Sequence, residues 1–361
     1  MTESETLDEL GYTTAWRTLF EPHAAGGLVP ARVVRSNRGR VLVATSSGYL
    51  RARSSASLLK SAAGPAELPV VGDWVAVLAP EDLDVALVEA VLERKSAITR
   101  GDPGKSSETQ VLVANVDTVF VVHAIGEGPN LRRIERELSL AWDSGAIPVV
   151  VLTKSDLSLD PESALAAVES VALGVDVLVT SALAGDGVEP LLTYISGHRT
   201  AVLVGPSGAG KSTLINALLG EERQATRAVR LGDGRGRHTT VARELFQMPG
   251  GGILIDTPGL RALGLTGSEE GISSAFPDIE ELAASCRFRD CAHGDEPGCA
   301  VRAAVEAGTL APERFASYRK LIGESQDAAA RTTVRLRAED KAKAKTLSKV
   351  IKQYHQRMDR Q

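Results

Sequence analysis

The sequence predicts a multi-domain chain with three structured parts. These are a small N-terminal β-barrel, a central α/β domain and a mainly helical C-terminal domain built on a metal cluster. Three observations lead there. Residues 31–92 hold five short β-type runs broken by turns; residues 111–256 alternate apolar strand-like runs with helical spacing; and all three cysteines crowd between 286 and 299. The expected divisions are a flexible leader over 1–29, the barrel over 30–98, the α/β domain over 99–270, the metal-binding domain over 271–325 and a basic helical tail over 326–361.

The 361 residues, 43% of them hydrophobic, suffice for a large core. The first ten residues are acidic and polar, unlike a secretory leader, and no run of 18 apolar residues occurs, so a membrane span is not expected. The overall charge of −5 conceals an asymmetry. Residues 331–361 carry ten Lys/Arg against three acids, and residues 31–60 carry seven Lys/Arg and no acid. Basic stretches on an acidic body suit a polyanionic partner, although the tail also reads as a solvated helix.

The runs Ala31–Arg35, Gly39–Thr45, Gly48–Ser54, Val70–Leu78 and Asp84–Leu92 predict five short strands, for which an OB-fold is the leading arrangement. Alternation would put Arg51 and Arg53 on one strand face, suited to a nucleic-acid backbone. Residues 94–110 read as a polar linker. Val111–Ala124, Ile147–Leu152, Val175–Val179, Ala201–Val204 and Gly252–Ile255 are continuous apolar runs, as a buried parallel sheet requires. Leu131–Trp142 has helical spacing, and Pro161 opens another helix that Gly174 closes.

Gly205, Pro206, Ser207, Gly208, Ala209, Gly210, Lys211, Ser212 and Thr213 form a phosphate loop between a strand and a helix. Its backbone N–H groups and the helix N-terminus favour phosphate, Lys211 suits the β- and γ-phosphates, and the Ser212 hydroxyl suits Mg²⁺. Asp256-Thr-Pro-Gly259 follows the next apolar strand, with Asp256 placed for Mg²⁺ and the Gly259 N–H for the γ-phosphate. In the glycine-rich stretch between them, His238-Thr239-Thr240 offers Thr240 as a further Mg²⁺ and γ-phosphate ligand.

Thr153, Lys154, Ser155 and Asp156 follow the strand Ile147–Leu152. A carboxylate at 156 can accept both the ring N–H and the amino group of guanine, a donor pair adenine lacks, so GTP is expected and ATP rejected. Lys154 would pack its stem on the purine, and Ser181-Ala182 after the next strand would support the base. The first position is Thr153 rather than asparagine, which predicts weaker affinity. The base-reading motif thus precedes the phosphate loop, so the order of segments is circularly permuted. The chain leaves the nucleotide site just after Asp256–Gly259.

Cys286, Cys291, His293 and Cys299 are a complete tetrahedral set for one structural Zn²⁺, with no position left open. Clustered thiols rather than paired ones fit a reducing, cytoplasmic setting.

With these motifs in this order, and with Cys286 to Cys299 reading C-R-F-R-D-C-A-H-G-D-E-P-G-C, the chain resembles the ribosome small-subunit-dependent GTPase A family (RsgA, also called YjeQ) over residues 30–320. The resemblance implies an OB-fold, a circularly permuted P-loop GTPase domain and a zinc domain. It implies a late 30S maturation factor that binds 16S rRNA and hydrolyses GTP under stimulation by the subunit. A monomer is expected. Position 260 is Leu, which cannot orient the attacking water; His238 is the expected catalytic replacement, and the family pattern also has histidine there. The alternatives are a GTP-controlled RNA-binding module with incidental hydrolysis, or an ATPase, which Asp156 opposes.

Overall fold

The computed structural model describes residues 5–37, 39–79, 85–100, 110–126, 128–220, 243–256 and 267–330. The segments holding His238, Thr240, Gly259 and Leu260, and the basic stretch 331–361, lie outside the described residues. None of the described helices is long and apolar enough to cross a membrane.

The first element corrects an expectation. Residues 5–24 are not a flexible leader but two helices, α1 (Glu5–Glu9) and α2 (Thr14–Ala24). Trp16 and Phe20, four apart on α2, are buried together with Leu7, Leu10 and Tyr12. Tyr12 and Trp16 pack on Trp74 of the barrel, with ring centroids 4.9 and 6.0 Å away. The acidic, polar residues of this stretch form its outer surface and mask five large side chains that point inward.

The barrel comprises β1 (Val29–Asn37), β2 (Arg40–Thr45), β3 (Gly48–Ser54), β4 (Trp74–Leu78) and β5 (Ala86–Val91). The strands run in the order β1-β2-β3-β5-β4 and close through β1–β4, with β3 and β5 parallel. This is the five-stranded OB-type closure. A helix α3 (Ala56–Ser61), whose first turn is capped by Ser55 accepting from the Leu58 N–H at 3.1 Å, links β3 towards β4. Val33, Val43, Val75, Val77 and Val88 fill the interior. Arg51 and Arg53 are exposed on either side of the buried Ala52, as alternation requires.

The expected linker over 94–110 contains β6 (Ala97–Arg100), which pairs with β7 (Gln110–Ala114) in a separate ribbon. The apolar run 111–124 is therefore two strands, not one. Asn115, at φ 56°, makes the turn, and its side chain accepts from the Lys95 N–H at 3.0 Å and donates to the Gly72 carbonyl at 3.1 Å.

The central sheet contains β8 (Thr118–Ala124), β9 (Ile147–Thr153), β10 (Asp176–Val179), β11 (Thr200–Val204), β12 (Arg243–Gln247) and β13 (Ile253–Asp256). Its order is β10-β9-β8-β11-β13-β12, parallel except for β12. Helices α4 (Leu131–Asp143), α5 (Pro161–Glu169), α6 (Glu189–Leu192) and α7 (Lys211–Leu219) connect the strands. Asn130 and Asp160 cap α4 and α5 by accepting from backbone N–H groups three residues on. The barrel is joined to this sheet: β1 shifts register between Val33 and Arg35, and its last residues pair with β12 through Arg35↔Glu244 and Ser36↔Arg243. One sheet of 11 strands results.

The C-terminal part consists of α8 (Glu269–Ala275), α9 (Pro277–Ala283), α10 (Ala300–Glu306) and α11 (312–330), the last running through the expected boundary at 325. It docks on α4. A Cβ at Gly271 would lie 2.5 Å from the Ser139 carbonyl oxygen, so only glycine allows α8 to cross α4 this closely. Arg314 of α11 is buried, donates to Glu135 of α4 at 3.0 Å and to both oxygens of Asp278 at 2.6 Å, and stacks over Phe276 at 4.6 Å. Arg136 of α4 grips Glu324 through two bonds of 2.5 and 2.9 Å.

Removing one partner of a buried ion pair strands the other charge. The change Arg314→Met is expected to lower stability by about 3–5 kcal/mol at neutral pH. Burial raises the Glu135 pKa while Ser317 and Arg314 draw it down, so loss of the arginine raises it further. The folded state then binds a proton on Glu135 before the unfolded chain does. The penalty should therefore shrink as pH falls through that raised value. Urea denaturation of both proteins across pH 5 to 8 checks this; a penalty that grows towards acid would refute it.

Candidate nucleotide site and metal cluster

The phosphate loop leaves the end of β11 and enters α7 at Lys211. Gly205 is at φ 138°, and a Cβ there would lie 2.1 Å from the Val122 carbonyl oxygen, so the loop turns hard against β8. Gly208 and Gly210 also have positive φ, which directs successive backbone N–H groups into the loop's concave side. Lys211 curls back over the loop and donates from Nζ to the Gly205 carbonyl at 2.7 Å and the Pro206 carbonyl at 2.6 Å. Ser207 and Gly208 are exposed at the mouth, Ala209 is buried, and Ser212 and Thr213 lie in the first turn of α7.

Two strands away, Thr153 ends β9. Its side chain is buried, and its hydroxyl donates to the Ala209 carbonyl at 2.6 Å. The group that replaces asparagine thus fastens the base-reading loop to the phosphate loop. Lys154 takes the left-handed conformation, φ 60°, and its stem comes within 3.8 Å of where a Cβ on Gly210 would stand. Ser155 and Asp156 follow in a 3₁₀ turn.

The second base loop is bonded to the first. Ser181 Oγ donates to Asp156 Oδ1 at 2.5 Å, and the Ser155 N–H donates to the Thr180 carbonyl at 3.2 Å. Ser181 and Asp186 exchange backbone hydrogen bonds of 2.9 and 3.0 Å, which fold residues 181–186, including Ala182, into a compact turn. Ser181 is thus bonded to the Asp156 carboxylate itself, a contact that the expectation of a base-supporting residue did not include. Asp256 ends β13, one residue beyond Ile255, which pairs with Val202 of β11. The partners expected for it, Thr240 and Gly259, and the expected catalytic His238 lie outside the described residues.

These segments all leave the carboxyl ends of neighbouring parallel strands, where open α/β sheets bind ligands. The strands that carry the base loop and the phosphate loop, β9 and β11, are separated by β8 alone, so their axes lie about 10 Å apart, two strand spacings, while the loops themselves meet at the Thr153–Ala209 bond. That separation suits a nucleoside lying across the strand ends. Sequence reasoning missed His123, buried at the end of β8, whose Nε2 lies 2.7 Å from Glu137 Oε2 of α4. A lone histidine inside an otherwise apolar strand was the available signal.

The four expected metal ligands converge, and all four ligand atoms lie within 4.8 Å of one another. Cys286 Sγ is 3.9 Å from Cys299 Sγ and 3.7 Å from His293 Nδ1, and Cys299 Sγ is 3.5 Å from the same nitrogen. Metal–sulfur bonds of about 2.3 Å and metal–nitrogen bonds of about 2.0 Å at tetrahedral angles require ligand separations of about 3.5–3.8 Å. The cluster could therefore hold a metal. The Ala300 N–H points to Cys286 Sγ at 3.3 Å and the Arg302 N–H to Cys299 Sγ at 3.5 Å, both at the start of α10. These donors favour thiolates. Burial holds the His293 imidazole below its usual pKa, which keeps it neutral and able to ligate.

A phosphate loop and guanine-type base loops in this inverted chain order, on one sheet edge, define a circularly permuted GTPase. Residues 91–266 match the model of the RsgA GTPase family. The chain is 48% identical over 336 residues, 92% of its length and 90% of the relative's, to the small ribosomal subunit biogenesis GTPase RsgA of Streptomyces coelicolor. Among solved structures it resembles YjeQ from Thermotoga maritima, at 28% identity and a TM-score of 0.62 over 83% of this chain and 99% of that one. It also resembles YloQ, a circularly permuted GTPase, at 26% identity and a TM-score of 0.60 over 83% and 96%. The chain belongs to the RsgA GTPase family.

The Ser181–Asp156 bond gives a test of the base site. A hydrogen bond to a charged group contributes about 1.5–3 kcal/mol, so Ser181→Ala should weaken GDP binding about 10- to 100-fold. Titration with a fluorescent GDP analogue reads this directly. Affinity within twofold of the parent would exclude that contribution.

Proposed function

We propose that this chain hydrolyses GTP to GDP and phosphate as a late-acting factor in biogenesis of the small ribosomal subunit, binding 16S rRNA and stimulated by the 30S particle. The observation that carries the reading is the Ser181-held Asp156 two strands from the phosphate loop, on a family-matched permuted sheet. The names of the relatives supply the ribosomal setting. In this reading Asp156 accepts the two guanine donors, Lys154 covers the base, and Ser155, Ser181 and Ala182 shape its rim. The amides of residues 205–213 and Lys211 hold the phosphates. Ser212, Thr240 and Asp256 would hold Mg²⁺, which supplies charge neutralisation across the β- and γ-phosphates. The Gly259 N–H meets the γ-phosphate.

His238 is proposed to orient the attacking water, because Leu260 follows Asp256-Thr-Pro-Gly259 and has no group to do so. The protein acts as a cytoplasmic monomer. The exposed pair Arg51 and Arg53 on β3 faces the rRNA backbone. Cys286, Cys291, His293 and Cys299 hold one structural Zn²⁺, a choice the three-sulfur, one-nitrogen donor set favours.

GTP turnover measured with and without purified 30S subunits is the primary test. Stimulation of about tenfold or more is expected, and none at low salt would overturn the assignment. His238→Ala should cut the stimulated rate by about 100-fold or more while GDP affinity stays near that of the parent. Metal analysis should find one zinc per chain. Cys299→Ser should release it and destabilise the fold around α9 and α10; full zinc retention would remove Cys299 from the ligand set.

A further inference from the structure

A cavity of about 110 Å³ lies at the opposite end of β11 from the phosphate loop. The N-terminal helices supply Trp16, the barrel supplies Arg32 and Trp74, and the region leading into the central sheet supplies Lys95, Asp117 and Arg199. Arg32 is the unusual member. It is buried at 2% exposure, with Nη1 donating to the Leu10 carbonyl and Nη2 to Thr200 Oγ1 at 2.7 Å. Its guanidinium stacks over Trp74, 5.3 Å from the ring. Its Nε, also buried, has no hydrogen-bond partner among the described residues. An unpaired donor on a buried cation is costly, and a buried arginine normally commits all its N–H groups.

The charges around it do not balance. Arg32, Lys95 and Arg199 line the wall with one carboxylate, Asp117; the Lys95 ammonium sits over the Trp16 ring, 4.6 Å from its centroid, and Asp117 Oδ2 already accepts from the Thr200 N–H at 2.7 Å. Asp73 lies close by but is held by Arg94 through bonds of 2.7 and 2.8 Å. Burial lowers the Arg32 pKa to about 10, partly offset by Asp117 and Asp73, so the side chain stays charged at neutral pH.

We propose that this cavity is a binding site for a phosphate-sized oxyanion, held by the charge of the Arg32 guanidinium together with Lys95 and Arg199. Its volume is below the roughly 150 Å³ that admits benzene, which suits one tetrahedral anion or the phosphate end of an ester. The Asp117 carboxylate adds an acceptor, so hydrogen phosphate, which carries a proton to donate, fits better than sulfate. Such a ligand would tie the N-terminal helices, the barrel and the base of the central sheet together at one point, remote from the nucleotide.

Two of the three tryptophans, Trp16 and Trp74, line the cavity, so intrinsic fluorescence reports on it. The experiment uses the full chain saturated with GDP and Mg²⁺, which keeps added phosphate out of the phosphate loop. Inorganic phosphate, sulfate and ribose 5-phosphate are titrated separately at constant ionic strength. Saturable quenching or enhancement by phosphate, weaker with sulfate, is expected. Lys95→Met and Arg199→Met, both at exposed positions, should each weaken it about tenfold. Saturation by inorganic phosphate assigns the free ion, and saturation by ribose 5-phosphate alone assigns a terminal phosphate ester. No saturable response to any of the three, or responses unchanged in both variants, would overturn the site and leave a water-filled cavity. Sulfate binding as tightly as phosphate would overturn the role given to Asp117.

Discussion

The position of β8 between β9 and β11 is the constraint on which the nucleotide site depends. Backbone hydrogen bonds fix both neighbours, through Val121↔Val150 on one side and Val121↔Val204 on the other. The distance between the strands that carry the base loop and the phosphate loop is then set by strand spacing, not by chain order. Two further contacts make the spacing rigid: Gly205 turns against the Val122 carbonyl, and Thr153 bonds to Ala209. Permutation leaves this geometry intact because sheet neighbours need not be sequence neighbours. What it changes is where the chain enters and leaves.

The exit leads to α4. The chain leaves the sheet at Asp256 and is described again from Gly267, ahead of α8, which crosses α4 at the Gly271–Ser139 contact. The same helix receives Arg314 on Glu135 and Glu324 on Arg136. Its other side holds His123 through Glu137, at the end of β8. α4 therefore touches the nucleotide sheet with one set of side chains and the C-terminal helices with another. The buried ion pairs are a costly way to gain stability, since desolvation offsets much of the attraction. They do fix one register between α4 and α11, which apolar contacts alone specify less sharply.

The architecture, the strand–turn–helix of the phosphate loop and the Cys/His cluster were legible because their signals are local. Continuous apolar runs, a glycine-rich turn before a helix and four metal ligands within 14 residues need no tertiary information. The N-terminal helices were misread because the buried face of α2 rests on Trp16 and Phe20, and the partner that buries Trp16, Trp74, is far along the chain. Likewise nothing near Thr153 in sequence announces Ala209 as the acceptor of its hydroxyl, so a substitution that looks like a weakened base contact is a clamp on the phosphate loop. The split of the run 111–124 at Asn115 was hidden because its turn is stabilised by Gly72 and Lys95, distant in the chain.

The pairing of β1 with β12 adds the final link. Arg35 on the barrel's first strand bonds to Glu244 on β12, and β12 is the first described element after the segment that carries His238 and Thr240. The segment carrying Gly259 and Leu260 leads instead to α8, and through α8 and α9 to the metal cluster. The two stretches expected to sense the γ-phosphate are therefore joined to different outlying parts of the molecule. One is tied by a strand ladder to the barrel, the other by helix packing to the Cys/His region. A surface that holds both outlying parts at once constrains both stretches at their far ends.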